Sequence, residues 1–133
     1  MSLEDAAKQS FALGTQAAKV GDYAGANSHF SQGLDTANSV EIKSALLVSR
    51  TGALGALGRW AEALVDAEAV RVIRPSWSRT FECRAACLHG LGRTKEADAA
   101  RQLSIALASL KADPKNEVVS QCVYTCRIHT DTI

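Results

Sequence analysis

The chain has 133 residues, 47% apolar and 22% charged, with a net charge of +1, the profile of one globular domain with a real core. A balance so near zero excludes a nucleic-acid binder that works by bulk electrostatics. Aromatics are only 5% of the chain, alanine is roughly one residue in six, and Pro75 and Pro114 are the two prolines. Alanine is the best helix former and proline the strongest breaker, so the composition reads all-α.

The N-terminus carries Glu4 and Asp5 where a secretory leader needs basic residues, and no apolar stretch follows. Runs such as 45–48 are far too short to span a bilayer. Four cysteines without a leader suggest reduced thiols, and the expected localisation is cytoplasmic.

In chain order, helices are expected at about 4–20, 23–37, 41–57, 60–73, 77–91 and 94–111. Asp113 and Pro114 form a start signal for a last helix at about 114–129. Three glycines punctuate the pairs. Gly21-Asp22-Tyr23 leads to Ala26, Gly58-Arg59-Trp60 to Ala63, and Gly92-Arg93-Thr94 to Ala97, each alanine five places after its glycine. Glycine enters the left-handed region without a Cβ clash, which suits a helix end followed at once by another helix.

This spacing resembles the tetratricopeptide-repeat family, whose pattern runs over 34 residues. Leu13-Gly14, Gly21, Tyr23, Ala26 and Phe30 match it first; Leu47, Leu54, Gly58, Trp60, Ala63 and Pro75 second; Phe81, Ala85, Leu88, Gly92 and Ala97 third. Thr51, Ala67, Arg101, Asn38 and Ser109 depart from it. The resemblance implies one domain over 1–133: a right-handed superhelix of three antiparallel helix pairs plus a C-terminal capping helix. Its repeats would fall at about 7–40, 44–77 and 78–111.

The same resemblance implies a non-catalytic module that binds a peptide or a partner helix in a groove lined by the first helix of each pair. Lys8, Phe11, Thr15, Ala18 and Lys19 would line it first, then Ala45, Val48, Ser49 and Gly52, then Arg79, Glu82, Cys83, Ala86 and His89. Heat-shock co-chaperones with three repeats hold a ligand's C-terminal carboxylates with a Lys and an Asn, then an Asn, then a Lys and an Arg. The matching positions here hold Phe11, Thr15, Ser49, Arg79 and Cys83. Only Arg79 keeps a cation, which weakens a heat-shock-protein tail as the ligand. Arg84 lies one residue past the place wanted, and one helical step turns a side chain about 100° away.

Charge is uneven along the chain. Residues 1–69 hold five Lys/Arg against eight Asp/Glu, and residues 70–133 ten against six. The second part is suited to an acidic partner, or its charges are ordinary solvated helix faces. Glu62, Asp66 and Glu68 read as such a face.

Cys83 and Cys87, like Cys122 and Cys126, are spaced to share a helical face, so meeting faces would place four thiols together for zinc or disulfides. Cysteine is commonly a small buried hydrophobe, and no metal or other cofactor is expected. Gly52, Gly55 and Gly58, and the pair Gly90 and Gly92, lack the pattern of a phosphate loop. No nucleophile and base pair stands out, so no enzyme activity is expected. The capping helix should hide the open end and leave a monomer. The other reading is a structural or self-associating helical-repeat element.

Overall fold

The computed structural model describes residues 2–112. Six helices follow one another: α1 (Leu3–Lys19), α2 (Tyr23–Thr36), α3 (Val40–Ala56), α4 (Trp60–Ile73), α5 (Ser78–Gly90) and α6 (Thr94–Ala112). No strand occurs among the described residues. The expected helix at 114–129 lies outside them, as do Cys122 and Cys126.

Local chemistry sets the starts. Ser2 Oγ accepts from Asp5 N at 3.1 Å, Asp22 Oδ1 from Gly25 N at 3.0 Å, and Ser39 Oγ from Ile42 N at 3.2 Å. Each satisfies an amide that the first helical turn would leave without a partner.

One turn is used three times. Gly21, Gly58 and Gly92 have φ of 84°, 76° and 79°. The residue after each glycine donates its amide back across the helix end: Asp22 to Ala17 O, Arg59 to Leu54 O and Arg93 to Leu88 O, at 2.8–2.9 Å. This is the Schellman arrangement, and it reverses the chain in three residues. The α4–α5 link differs, because Pro75 cannot continue a helix and the residue before it is forced towards extended backbone; Arg74 has φ −139° and ψ 69°.

The helices pack in chain order, α1 on α2, α2 on α3, and so on to α6. α1 also touches α3, and α3 touches α5, whereas α2 and α4 do not meet, nor do α4 and α6. Small residues make the crossings possible: Ala26, Ala63 and Ala97 are all fully buried. Phe30 fills the first crossing beside Ala7, Ala26 and Leu46. Leu54, Ala63, Ala67 and Cys87 form the second, with Trp60 and Cys83 packed against them. Phe81, Leu103 and Leu107 cluster between α5 and α6.

Candidate functional site

α1, α3 and α5 stand side by side and carry every candidate binding residue. Lys8, Lys19, Arg79, Glu82 and His89 are exposed; Phe11, Thr15, Ser49 and Cys83 are half-buried. Exposure is not equally useful. Phe11 packs against the first core cluster, its ring centroid 6.1 Å from that of Phe30. The Thr15 hydroxyl donates to Phe11 O at 2.9 Å, so its proton is spent within its own helix. Among the described residues, Ser49 makes no side-chain hydrogen bond and keeps both its donor and its acceptor. Val48, expected on the same surface, is 7% exposed and serves the core instead.

Arg84 points away from this surface. It is 6% exposed, and its Nε donates to Glu68 Oε1 on α4 at 2.5 Å. The carboxylates expected on a solvated face divide accordingly. Glu62 is exposed and pairs with Arg59, while Glu68 holds both Arg84 and Arg71. Asp66 is 5% exposed and accepts from Arg50 Nε and Nη2, each at 2.7 Å. Arg50 Nη1 also donates to Ser31 Oγ on α2 at 3.1 Å. The expectation of a solvated face fails for Asp66, because a buried carboxylate needs a partner and Arg50 reaches it from α3.

Arg50 and Arg84 occupy the same place in successive pairs, and each reaches a neighbouring pair, at Ser31 and at Glu68 respectively. Where Arg50 also finds Asp66, the corresponding residue for Arg84 is Ala100, fully buried and with no polar side-chain atom. Arg84 Nη1 is accordingly buried with no hydrogen-bond partner. The sequence carried one signal of this pattern: Arg50 and Arg84 are 34 residues apart, the length of one repeat.

A recess of about 380 Å³ opens on the other side, between α2 and α4, with Asn27, Ser31 and Val65 in its walls and Arg50 and Asp66 among its lining. Its two cations, Arg50 and Arg59, already hold carboxylates, so it offers no net charge to an anion.

Two of the clustered glycines, Gly55 and Gly90, have a packing role. A Cβ on Gly55 would lie 2.6 Å from Trp60 Cζ3, and one on Gly90 would also strike the Trp60 ring. Both helices are bare there because the indole fills the space.

Burial pushes the Cys83 thiol up to about 11 and the Cys87 thiol up to about 12, the latter with added repulsion from Cys83 and the Asp66 and Glu68 carboxylates. Neither is a ready nucleophile, since the thiolate is the reactive form. Among the described residues, no group of three or more His, Cys, Asp or Glu side chains is placed to hold a metal ion. No helix among them is long and apolar enough to cross a membrane.

No protein-family model matches the chain. Over 111 residues, 84% of its length, it is 32% identical to the Hsp70-Hsp90 organizing protein of Triticum aestivum. The chain spans 18% of that relative's length. This likeness and the paired helices together fit a tetratricopeptide-like domain.

Proposed function

We propose that this chain is a non-catalytic protein-interaction module that takes a peptide segment or partner helix along α1, α3 and α5. The observation that carries the reading is the asymmetry of packing: α1, α3 and α5 touch in succession while α2, α4 and α6 do not. In a curved array, helices on the inner side approach and those on the outer side spread, so the first three line the concave wall. A concave wall of a helical repeat is the surface such arrays use for binding. In this reading residues 1–133 form one domain, acting in the cytoplasm as a co-chaperone-like scaffold adaptor.

On that wall, Lys8, Lys19 and Arg79 supply charge, Glu82 and His89 supply polar contacts at the far end, and Ser49 is a central hydrogen-bonding group. Thr15 and Phe11 line the first repeat, and Cys83 the third. The relative's name ties it to Hsp70 and Hsp90, and a heat-shock-protein tail is one ligand class this chain could share. With one cation at the carboxylate-holding positions, a partner with a more apolar segment fits better. Charge-assisted bonds are about twice as strong as neutral ones, so the lost cations matter more than the retained hydroxyls.

Affinity capture from native extract tests this reading. The unmodified chain should retain a discrete partner that a Thr15→Arg, Ser49→Arg double variant loses while keeping its helical signal. Equal retention by both chains would move the binding surface elsewhere. One observation favours self-association as the alternative: Val65 and Val72, two turns apart on α4, are 69% and 81% exposed. Light scattering over a concentration series separates the two, since self-association predicts a mass that doubles without any partner.

A further inference from the structure

Among the described residues, six arginines reach a carboxylate: Arg50 to Asp66, Arg59 to Glu62, Arg71 and Arg84 to Glu68, Arg93 to Glu96, and Arg101 to Asp98. Arg74 and Arg79 do not. Both flank Trp77 instead, the Arg74 guanidinium 3.9 Å from the ring centroid and that of Arg79 at 5.8 Å. Their separation is therefore no larger than the sum of those distances. Beside them lies an open recess of about 270 Å³, lined by Arg74, Pro75, Ser76 and Trp77.

This corner is held in place before any ligand arrives. Arg74 Nη1 donates to Ser44 Oγ at 3.2 Å, and Ser44 is fully buried on α3. The Arg74 carbonyl accepts from Thr80 Oγ1 at 2.9 Å and from Trp77 N at 3.3 Å. Stacking on an indole face orients a guanidinium without consuming its in-plane N–H groups. Arg74 therefore keeps donors beyond the one given to Ser44, and Arg79 keeps all of its own.

We propose that the Arg74–Trp77–Arg79 corner is a binding site for a phosphorylated side chain on a peptide of the partner protein. Two guanidiniums in ion-pair contact with no described carboxylate complement a phosphomonoester, which carries close to two negative charges near neutral pH and three acceptor oxygens. A single carboxylate would match only one of them. The site rests on the interaction-module reading in one respect, that the phosphate belongs to a partner. It shares Arg79 with the proposed wall, but it lies at the α4–α5 turn and uses neither Ser49 nor Thr15, so the two can fail separately.

The test is a titration of the ¹⁵N-labelled full chain, following the two indole N–H signals and the arginine Nε–H signals. The probe is a capped glycine peptide carrying one phosphoserine; controls carry serine, or two adjacent glutamates. The phosphoserine peptide should shift the Trp77 indole and the Arg74 and Arg79 signals saturably, with a dissociation constant below about 1 mM. The Trp60 indole should stay still, and both controls should bind at least about tenfold more weakly. Arg79→Gln, at an exposed side chain, should weaken the phosphoserine peptide about tenfold without disturbing the fold, and Arg74→Gln should do likewise. Equal shifts from the serine peptide, equal affinity for the diglutamate peptide, or full affinity in Arg79→Gln would each overturn the proposal. Loss of partner capture in Thr15→Arg, Ser49→Arg with no phosphoserine binding would leave the module reading standing and remove this one.

Discussion

Asp66 grips Arg50 with both carboxylate oxygens, 2.7 Å from Nε and 2.7 Å from Nη2, tying α4 to α3 at a place where Asp66 is 5% exposed. Removing one member of a buried pair leaves the other charge without compensation. Asp66→Ala should therefore destabilise by about 3 kcal/mol in chemical denaturation, the low end for buried pairs because Arg50 keeps some access to water. Adding Arg50→Leu to that variant should recover part of the loss, since an apolar replacement needs no partner. A neutral Asp66→Ala would show that the pair contributes nothing to the fold.

Two glycine-to-alanine changes should have opposite signs. Gly52 sits inside α3, and a Cβ there would meet no atom within 4 Å. Gly52→Ala should stabilise by about 0.5–1 kcal/mol through backbone entropy. Gly90, the last residue of α5, lies against Trp60, so Gly90→Ala should destabilise despite alanine's better helix propensity. Thermal melts of the two variants side by side check the contrast, and stabilisation by both would displace Trp60 from its seat.

Ala63 and Ala97 are fully buried at helix crossings. Leucine at either should cost about 1–3 kcal/mol by overpacking. Urea midpoints read this directly, and unchanged midpoints in both variants would contradict the tight crossings.

Repeated turns and small buried residues are visible in this sequence, whereas ion pairs between helices are not. The glycine spacing located the turn inside each helix pair, because a left-handed turn demands glycine and the demand repeats, and Pro75 marked the break between the second and third pairs. Ala63 and Ala97 were legible for the same reason. Asp66 was not, because a carboxylate on a helix resembles any solvated residue until a partner from another helix reaches it, and Arg50 lies sixteen positions away. Arg84 was legible in direction, since one step along the helix turns it off the α1–α3–α5 face, but its bond to Glu68 depends on how α4 meets α5. The Arg74–Trp77–Arg79 corner was hidden because it needs an absence: among the described residues neither guanidinium has a carboxylate within ion-pair distance, which only the packing reveals.

Folding raises both described thiols above their ordinary value of 9.0, Cys83 to about 11 and Cys87 to about 12. The folded state then holds the proton more tightly than the unfolded state. The associated stability is complete below about pH 9 and is lost as pH rises towards 11–12. The stability advantage of the unmodified chain over Cys87→Ala should shrink between pH 8 and 10.5. Peptide mapping after iodoacetamide at pH 8 should show Cys83 and Cys87 modified far more slowly than in denaturant. Rapid alkylation of Cys87 in the folded chain would contradict its burial.

The binding surface proposed for this chain is the wall formed by α1, α3 and α5. Site-specific photo-crosslinking tests it most directly, with the reactive group placed at Ser49 on α3 in one protein and at Val65 on α4 in another. Both positions reach solvent, Ser49 in part and Val65 at 69% exposure, and they lie on different helices of the same pair. Irradiated in native extract, the Ser49 protein should give a discrete heterologous adduct that the Val65 protein lacks. An adduct from Val65 alone, or one consisting only of a second copy of this chain, would contradict this placement.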